Sequence, residues 1–522
     1  MSVFPKKTIG KIFVSVNMKR IFKTGLVFLV SGFGFLGCGF DSDPFTGIKI
    51  VSVSIAAPGE TISVKATYYD EDNADTSKNI TYVLSDDATE GANFGTSGSA
   101  TVLSVSATSG TAVNLTLGSE GSTTTVRNSV TVTASCDGYS ASKTIYTSIT
   151  CYPWDVPTGY AGVGFTSFYD PSKVVTVNTK DNLVYYAEKG GYTIFVDGMI
   201  DMSEGMLPST GGGSTSALDA FVASNSSYST YSAYNKGELA KVSSSSDKKN
   251  DLNSAYSSVI RLNVASNTAI IGKSSNCGIK GGSIVISGRE NVIIRNLVVQ
   301  NAYDPFPNHE AGDGWNAQQD NIAVRSSKNV WIDYCTLEDT LQLVYGPNGE
   351  KWQTYDGLCD ITVGSTYVTV SNCILRNHDK TMLIGSGSSD TSGGYVTLSG
   401  NYFYNCGQRL PLTAYKNMHI YNNAYVYDGG WCYSQQYAIG ARYSAYTIIA
   451  EKNYFSGISS AFKASTNALG ACYVSGNSTT SGSLATTSVK PFDVPYSYSI
   501  VSAGEAYELA SSLAGAGVIT VQ

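Results

Sequence analysis

From about residue 260 onward one kind of segment keeps returning: NTAIIG, NVIIRNL, NVWIDYC, YVTVSNC, YVTLSGNYF, NMHIYNN and YTIIAEKNYF. Each is a short alternation of apolar and polar residues, several end in Asn, and variable loops set them roughly 20 to 40 residues apart. A strand that short cannot bury its apolar face alone, so successive copies must stack and share one core. Asn suits the corner of such a coil, because it tolerates left-handed backbone and its amide can bond to the Asn of the next coil. An antiparallel sandwich also uses short strands, but long irregular insertions at one phase of the repeat favour a parallel β-helix. Its loops would project on one face and build a groove there.

The upstream part has another texture. Residues 48–150 contain IKIVSVSIA, TISVKATYY, NITYVLS, NLTLG, SVTVTAS and KTIYTSI, with turns rich in Gly, Ser, Asp and Asn between them. That pattern fits a small β-sandwich and resembles the bacterial immunoglobulin-like repeats of surface proteins. No charged cluster or metal motif stands out in it, so a spacer is favoured over a carbohydrate-binding module. Further upstream, MKRIFKTGLVFLVSGFGFLGC joins basic residues to an apolar run and small residues before Cys38. It resembles a bacterial lipoprotein signal, with Cys38 as the lipidated residue, Met18 as an alternative start and Phe35 where Leu is usual. Ordinary secretion and a retained anchor are the alternatives. The expected organisation is a signal at 1–37, a linker at 38–47, the sandwich at 48–150 and the β-helix at 152–522.

Export permits disulfides. Without Cys38 nine cysteines remain, an odd number, so at least one is expected to be free or paired between molecules. Cys335, Cys359, Cys373 and Cys406 fall in strand-like contexts, where thiols act as small hydrophobes. Neither CxxC pairs nor His-x-His spacing occur, so zinc is not indicated. The formal net charge is −7. That balance argues against nucleic acid as a partner, and an acidic ligand would need a local cation.

The ordered motifs NVIIRNL, WNAQQDNIAV, NVWIDYC, DGLCDITVGSTYVTVSNC, NHDKTMLIGS, QRLPL, MHIYNN, YAIGA and PYSYSI are similar to the pectate lyases of polysaccharide lyase family 1. The likeness runs over roughly residues 158–522 and implies an all-β fold, a right-handed parallel β-helix preceded here by the sandwich. It also implies calcium-dependent β-elimination of polygalacturonate, giving 4,5-unsaturated products. Asp320, Asp356 and Asp360 match the family's calcium ligands. Clustered carboxylates repel unless a cation sits between them, and hard oxygen donors suit Ca²⁺. For any one aspartate alone, a turn or cap role is the default.

Lys380 matches a lysine that holds a uronate carboxylate. Arg409, in the R-x-P of QRLPL, matches the base that takes the C5 proton. Arginine is an awkward base, because it ordinarily stays protonated; neighbouring cations work against the charged form while calcium acidifies C5–H. Lys380 and Arg409 are therefore the expected catalytic and substrate-binding pair.

The sequence departs from the family at Ala414, where R-x-P-x-x-R carries its second arginine, and Lys416 and Arg442 are candidate replacements. Tyr334 replaces the His of the WIDH motif, read as a change in coil packing, and His419 is read as structural. Ser203–Lys249 is a candidate capping loop or a disordered insertion. The leading reading is an exported monomeric enzyme acting on pectate. Two alternatives are a β-helix protein that binds acidic polysaccharide without turnover, and a lyase for methylated pectin. The aspartates disfavour the latter, since pectin lyases do not depend on a calcium cage.

Overall fold

The computed structural model describes residues 45–52, 55–56, 60–85, 104–117, 129–239, 242–243, 245–345, 351–432, 434–443, 446–465 and 467–522. The signal-like segment and Cys38 lie outside the described residues. The chain divides into two compact units, one ending at Ser148 and one starting at Ile149.

In the first unit, alternation dictates the architecture. Thr61–Asp70 buries every second side chain, with Ile62, Val64, Ala66 and Tyr68 facing inward. Ser129–Cys136 does the same with Val130, Val132 and Ala134. One sheet is built around Thr61–Asp70 and the other around Ser129–Cys136 and Tyr139–Thr147. The two inner faces share one hydrophobic core, which makes the unit a β-sandwich.

The second unit is a solenoid of parallel strands. An eleven-stranded sheet and two eight-stranded sheets run its length, each strand pairing with its counterpart one coil away. One coil illustrates the path: Lys328–Asp333 in the long sheet, Thr336–Glu338 in the second, a long loop, then Cys359–Thr362 in the third. Register turns this repetition into columns. Ile270, Ile294, Ile332, Val370, Leu398, Ile420 and Ala450 stack in order, all fully buried. Val292, Val330, Val368, Val396, Met418 and Ile448 form a parallel column two residues earlier. Each Val, Ile, Leu or Met side chain in these columns contributes about 1.5 to 3 kcal/mol by leaving water. Leu183 and Ala187 of the helix Lys180–Lys189 extend the same core at its early end.

The corner between the long and second sheets divides two properties that the sequence suggested for one Asn. The left-handed residue is Asn296, Tyr334, Asn372, Gly400, Asn422 or Lys452 in successive coils. The residue after it points inward. In the later coils that residue is Asn, and a ladder forms: Asn401 Nδ2 donates to Asn423 Oδ1 at 2.8 Å, Asn423 to Asn453 at 3.0 Å, and Asn453 to Asn477 at 2.9 Å. In earlier coils the inward residue is Leu297, Cys335 or Cys373. Tyr334 therefore takes a corner position with positive φ, consistent with a coil-packing role. Asn423→Ala strands the buried Asn401 N–H and amide that donate to Asn423 Oδ1. A loss of about 3 kcal/mol is expected in denaturant unfolding.

The middle of Ser203–Lys249 is regular. It holds the helices Ser216–Asn225 and Tyr231–Leu239, and with the helix Asn253–Ile260 these bury Leu218, Val222, Tyr231 and Tyr256 around Phe306. The Ser, Tyr and Gly content concealed this, because the tyrosines supply the apolar face. His419 is fully buried, its Nδ1 at 2.7 Å from the Tyr496 hydroxyl and its Nε2 at 3.4 Å from Glu451. All nine described cysteines are free thiols. Among the described residues no helix is long and apolar enough to cross a membrane.

The C-terminal segment runs back along the solenoid. Tyr498 donates its hydroxyl to Glu451, Val501 N–H donates to Asn422, Gly515 N–H to Asn372 and Gly517 N–H to Asn296, each in an earlier coil than the last. It ends with Ile519–Val521 pairing in parallel with Ile149–Cys151.

Candidate active site

The loops that leave the second sheet and enter the third are long in some coils and nearly absent in others. Asp320 ends one such loop, just before the strand Ile322–Arg325. Asp356 ends the next, and Asp360 lies within the following strand, Cys359–Thr362, opposite Ala323. Lys380 closes the second-sheet strand Ile374–Lys380, paired with Gln408 one coil on. Arg409 follows Gln408 directly. Its φ of 59° lies in the left-handed region and turns the chain out of the strand, while its carbonyl accepts from Met382 N–H at 2.7 Å. The same edge of consecutive coils thus carries all five residues.

Their contacts are specific. Lys380 Nζ lies 3.1 Å from Asp356 Oδ1 and donates to Asn316 Oδ1 at 2.5 Å. Asp320 accepts from Gly357 N–H at 3.0 Å and faces Arg325 at 3.5 Å. Asp360 accepts from Leu383 N–H at 2.9 Å. Burial pushes the Asp320 carboxyl well above its ordinary value, and the charges of Asp360 and Asp356 push it the same way. Burial, then Asp356, raises Asp360 to about 7, against the opposing pull of Arg409 and Lys380.

His378 sits beneath this group. Its Nδ1 meets Asp339 Oδ2 at 2.5 Å and its Nε2 meets the Asp356 carbonyl at 2.7 Å. Burial works against the imidazolium, but Asp339 outweighs it and raises the His378 value. Through these two contacts His378 ties Asp339 to the backbone from which the Asp356 carboxylate projects.

No three His, Cys, Asp or Glu side chains among the described residues form a ready metal cage. The aspartates nonetheless fit a hard cation. They are an all-oxygen set, they repel one another, and Gly357 leaves them room: a Cβ there would come within 2.4 Å of Asp360 Oδ1 and 3.1 Å of Asp320 Oδ1. The arrangement can hold an anionic ligand against Lys380 and Arg409 and a divalent cation against the carboxylates.

Sequence reasoning gave no role to Asn316, Gly357 or His378. Each lies within a few residues of an aspartate or lysine it did select, and the long loops hide the contact. Lys416 opens the long-sheet strand Lys416–Tyr421 and is exposed there, whereas Arg442 follows the third-sheet strand Ile439–Ala441 on the side of Arg409.

A solenoid with a one-sided edge of buried carboxylates, lysine and arginine defines a class of groove-bearing β-helix proteins. The family model described as Pectate lyase matches residues 207–519, and the chain belongs to that family. Pectate lyase E of Dickeya chrysanthemi is 37% identical over 203 residues, covering 37% of this chain and 50% of that protein. The pectate lyase of Bacillus subtilis strain 168 is 36% identical over 175 residues, 31% of this chain and 41% of its own length. The chain thus spans about half the length of the curated relatives it matches. Among solved structures, a pectate lyase bound to hexasaccharide aligns with a TM-score of 0.58 at 25% identity, over 70% of this chain and 98% of that one. A Bacillus subtilis pectate lyase mutant aligns with a TM-score of 0.57 at 25% identity, over 70% and 97%.

Proposed function

We propose that this protein is a calcium-dependent pectate lyase that cleaves polygalacturonate by β-elimination, leaving 4,5-unsaturated oligogalacturonides. The observation that carries the reading is the meeting of Arg409, Lys380 and the carboxylates of Asp320, Asp356 and Asp360 on one edge of consecutive coils. Family membership supports it.

In this reading Asp320, Asp356 and Asp360 hold Ca²⁺. When bound, the ion supplies positive charge to the uronate carboxylate and makes C5–H more acidic. Lys380, held in place by Asn316 and Asp356, orients that carboxylate. The Arg409 guanidine takes the C5 proton, the C5–H electrons form the C4–C5 double bond, and the C4–O4 bond breaks. Solvent protonates the departing oxygen. No water attacks, which separates this chemistry from glycoside hydrolysis by a carboxylate pair.

The signal-like segment ending at Cys38 supports export, with a lipid on Cys38 and the first unit as an immunoglobulin-like spacer. A monomer is proposed. Ala414 favours the second reading, an acidic-polysaccharide binder without turnover. Ultraviolet absorbance of polygalacturonate with the purified protein decides between them. Calcium-dependent growth of unsaturated uronide absorbance is expected; its absence in a folded protein that binds the polymer establishes the second reading.

A further inference from the structure

Asp356 stands at the end of a long insertion, and one side chain from the next coil holds both ends of it. The chain leaves the second sheet after Thr336–Glu338, at Asp339, and enters the third at Cys359–Thr362. His378, on the strand Ile374–Lys380, has its Nδ1 2.5 Å from Asp339 Oδ2, and its Nε2 donates to the Asp356 carbonyl at 2.7 Å. The imidazole is fully enclosed and meets Tyr355 edge-on, with ring centres 6.2 Å apart.

The peptide that receives this bond is one the aspartates share. Its carbonyl belongs to Asp356, and its N–H, on Gly357, donates to Asp320 Oδ1 at 3.0 Å. A peptide group is planar, so fixing one end fixes the other. His378 on the carbonyl therefore sets the direction of the N–H that Asp320 accepts. Turned over, the peptide would present its carbonyl oxygen to Asp320, one acceptor against another. The other backbone bond at Asp356, from its N–H to Gln319 O, is long at 3.4 Å and holds it weakly.

Asp339 is costly to the fold. It is buried, and its Oδ1 meets no donor among the described residues. A carboxylate taken out of water with an acceptor unmet is destabilising, and an apolar pair could fill the space of Asp339 and His378 at less cost. What Asp339 does supply is a fixed orientation for the imidazole.

Resting on the lyase reading and its calcium assignment, we infer that Asp339 and His378 are positioning residues for the metal site. They set the Asp356–Gly357 peptide, and through it the relative placement of the Asp320 and Asp356 carboxylates. Both act through backbone and neither is a ligand. His378 also joins that backbone to the strand ending in Lys380, so the carboxylates and the lysine keep one spacing.

The test is calorimetric titration of Ca²⁺ into the full-length protein, with thermal melting of each variant. His378→Leu is expected to weaken calcium binding about ten-fold or more, the range for losing a group that orients a metal ligand. It also strands Asp339 and melts early. Adding Asp339→Leu removes the stranded carboxylate, so the double variant is expected to regain melting temperature while its calcium affinity stays low. Wild-type affinity in the double variant means that the pair serves only the fold and overturns the inference. Should the double variant also melt early, Asp339→Asn decides, because the carboxamide fills the same space: weaker calcium binding upholds the positioning role, and equal binding removes it. If the wild type itself takes up no calcium, the metal assignment falls and the inference with it; if wild type and variants bind calcium equally, the inference alone falls.

Discussion

Arg409→Ala lowers turnover on polygalacturonate by about 10³-fold or more, the range for loss of a positioned proton acceptor. The protein itself stays folded. Arg409 is only partly buried, and the bond that fixes the local chain, Met382 N–H to the Arg409 carbonyl, is made by backbone and survives the substitution. The left-handed φ of 59° costs alanine about what it costs arginine, so no new strain enters. The readout is initial rate of unsaturated-product formation, paired with polymer binding. Binding should weaken modestly, since Lys380 remains. A variant that keeps most of its rate removes Arg409 from the proton-transfer step. Arg409→Lys adds a second check, because it retains charge while replacing a planar guanidine with a more strongly hydrated ammonium; a fully active lysine variant would mean the position acts through charge alone.

Asp356→Ala weakens calcium binding about 100-fold, by removing one charged ligand from three and releasing Lys380 from its ion pair. Isothermal calorimetry of Ca²⁺ binding, independent of any turnover, measures the effect. Calcium affinity that is unchanged refutes the assignment of Asp356 to the metal. A companion effect follows from protonation. Burial, with Asp356 beside it, raises the Asp360 carboxyl to about 7, and in the proposed calcium site that carboxylate must be ionised to bind. Calcium binding then competes with a proton: affinity rises as pH is raised through about 7, and binding at pH 6 releases protons into the buffer. Proton uptake, or no pH dependence, would contradict the site.

Much of the solenoid was legible because its signal is periodic. The segments from NTAIIG to YTIIAEKNYF are long-sheet strands in sequence order, and the apolar columns are the alternation of each segment repeated. The aspartates proposed to hold calcium stand out as motif positions, but one-dimensional spacing does not say which of them touch. Asp320 and Asp360 come together only because Ala323 and Asp360 share a register. The helices in 203–249 were missed for a physical reason: Tyr and Ser have middling helix propensity, and the fold of this segment depends on Phe306, far along the chain, to bury its aromatic face. The corner Asn was half understood. One residue was expected both to bend left-handed and to join the ladder, whereas the chain gives these tasks to neighbours, so Gly, Lys or Tyr can take the bend while Asn keeps the ladder.

The backward-running C-terminal segment changes how such a molecule should respond to force. A solenoid without it would behave as a row of springs in series, each coil free to part from its neighbour. Here a strap is fastened at Glu451, Asn422, Asn372 and Asn296, and its end is sewn to the first strand of the unit at Ile149–Cys151. Stretching any one gap loads the whole strap in parallel. The pitch between coils, about 4.8 Å, is thereby kept uniform, so under the proposed function cations contributed by different coils act as marks on a stiff ruler laid against a polymer of fixed repeat.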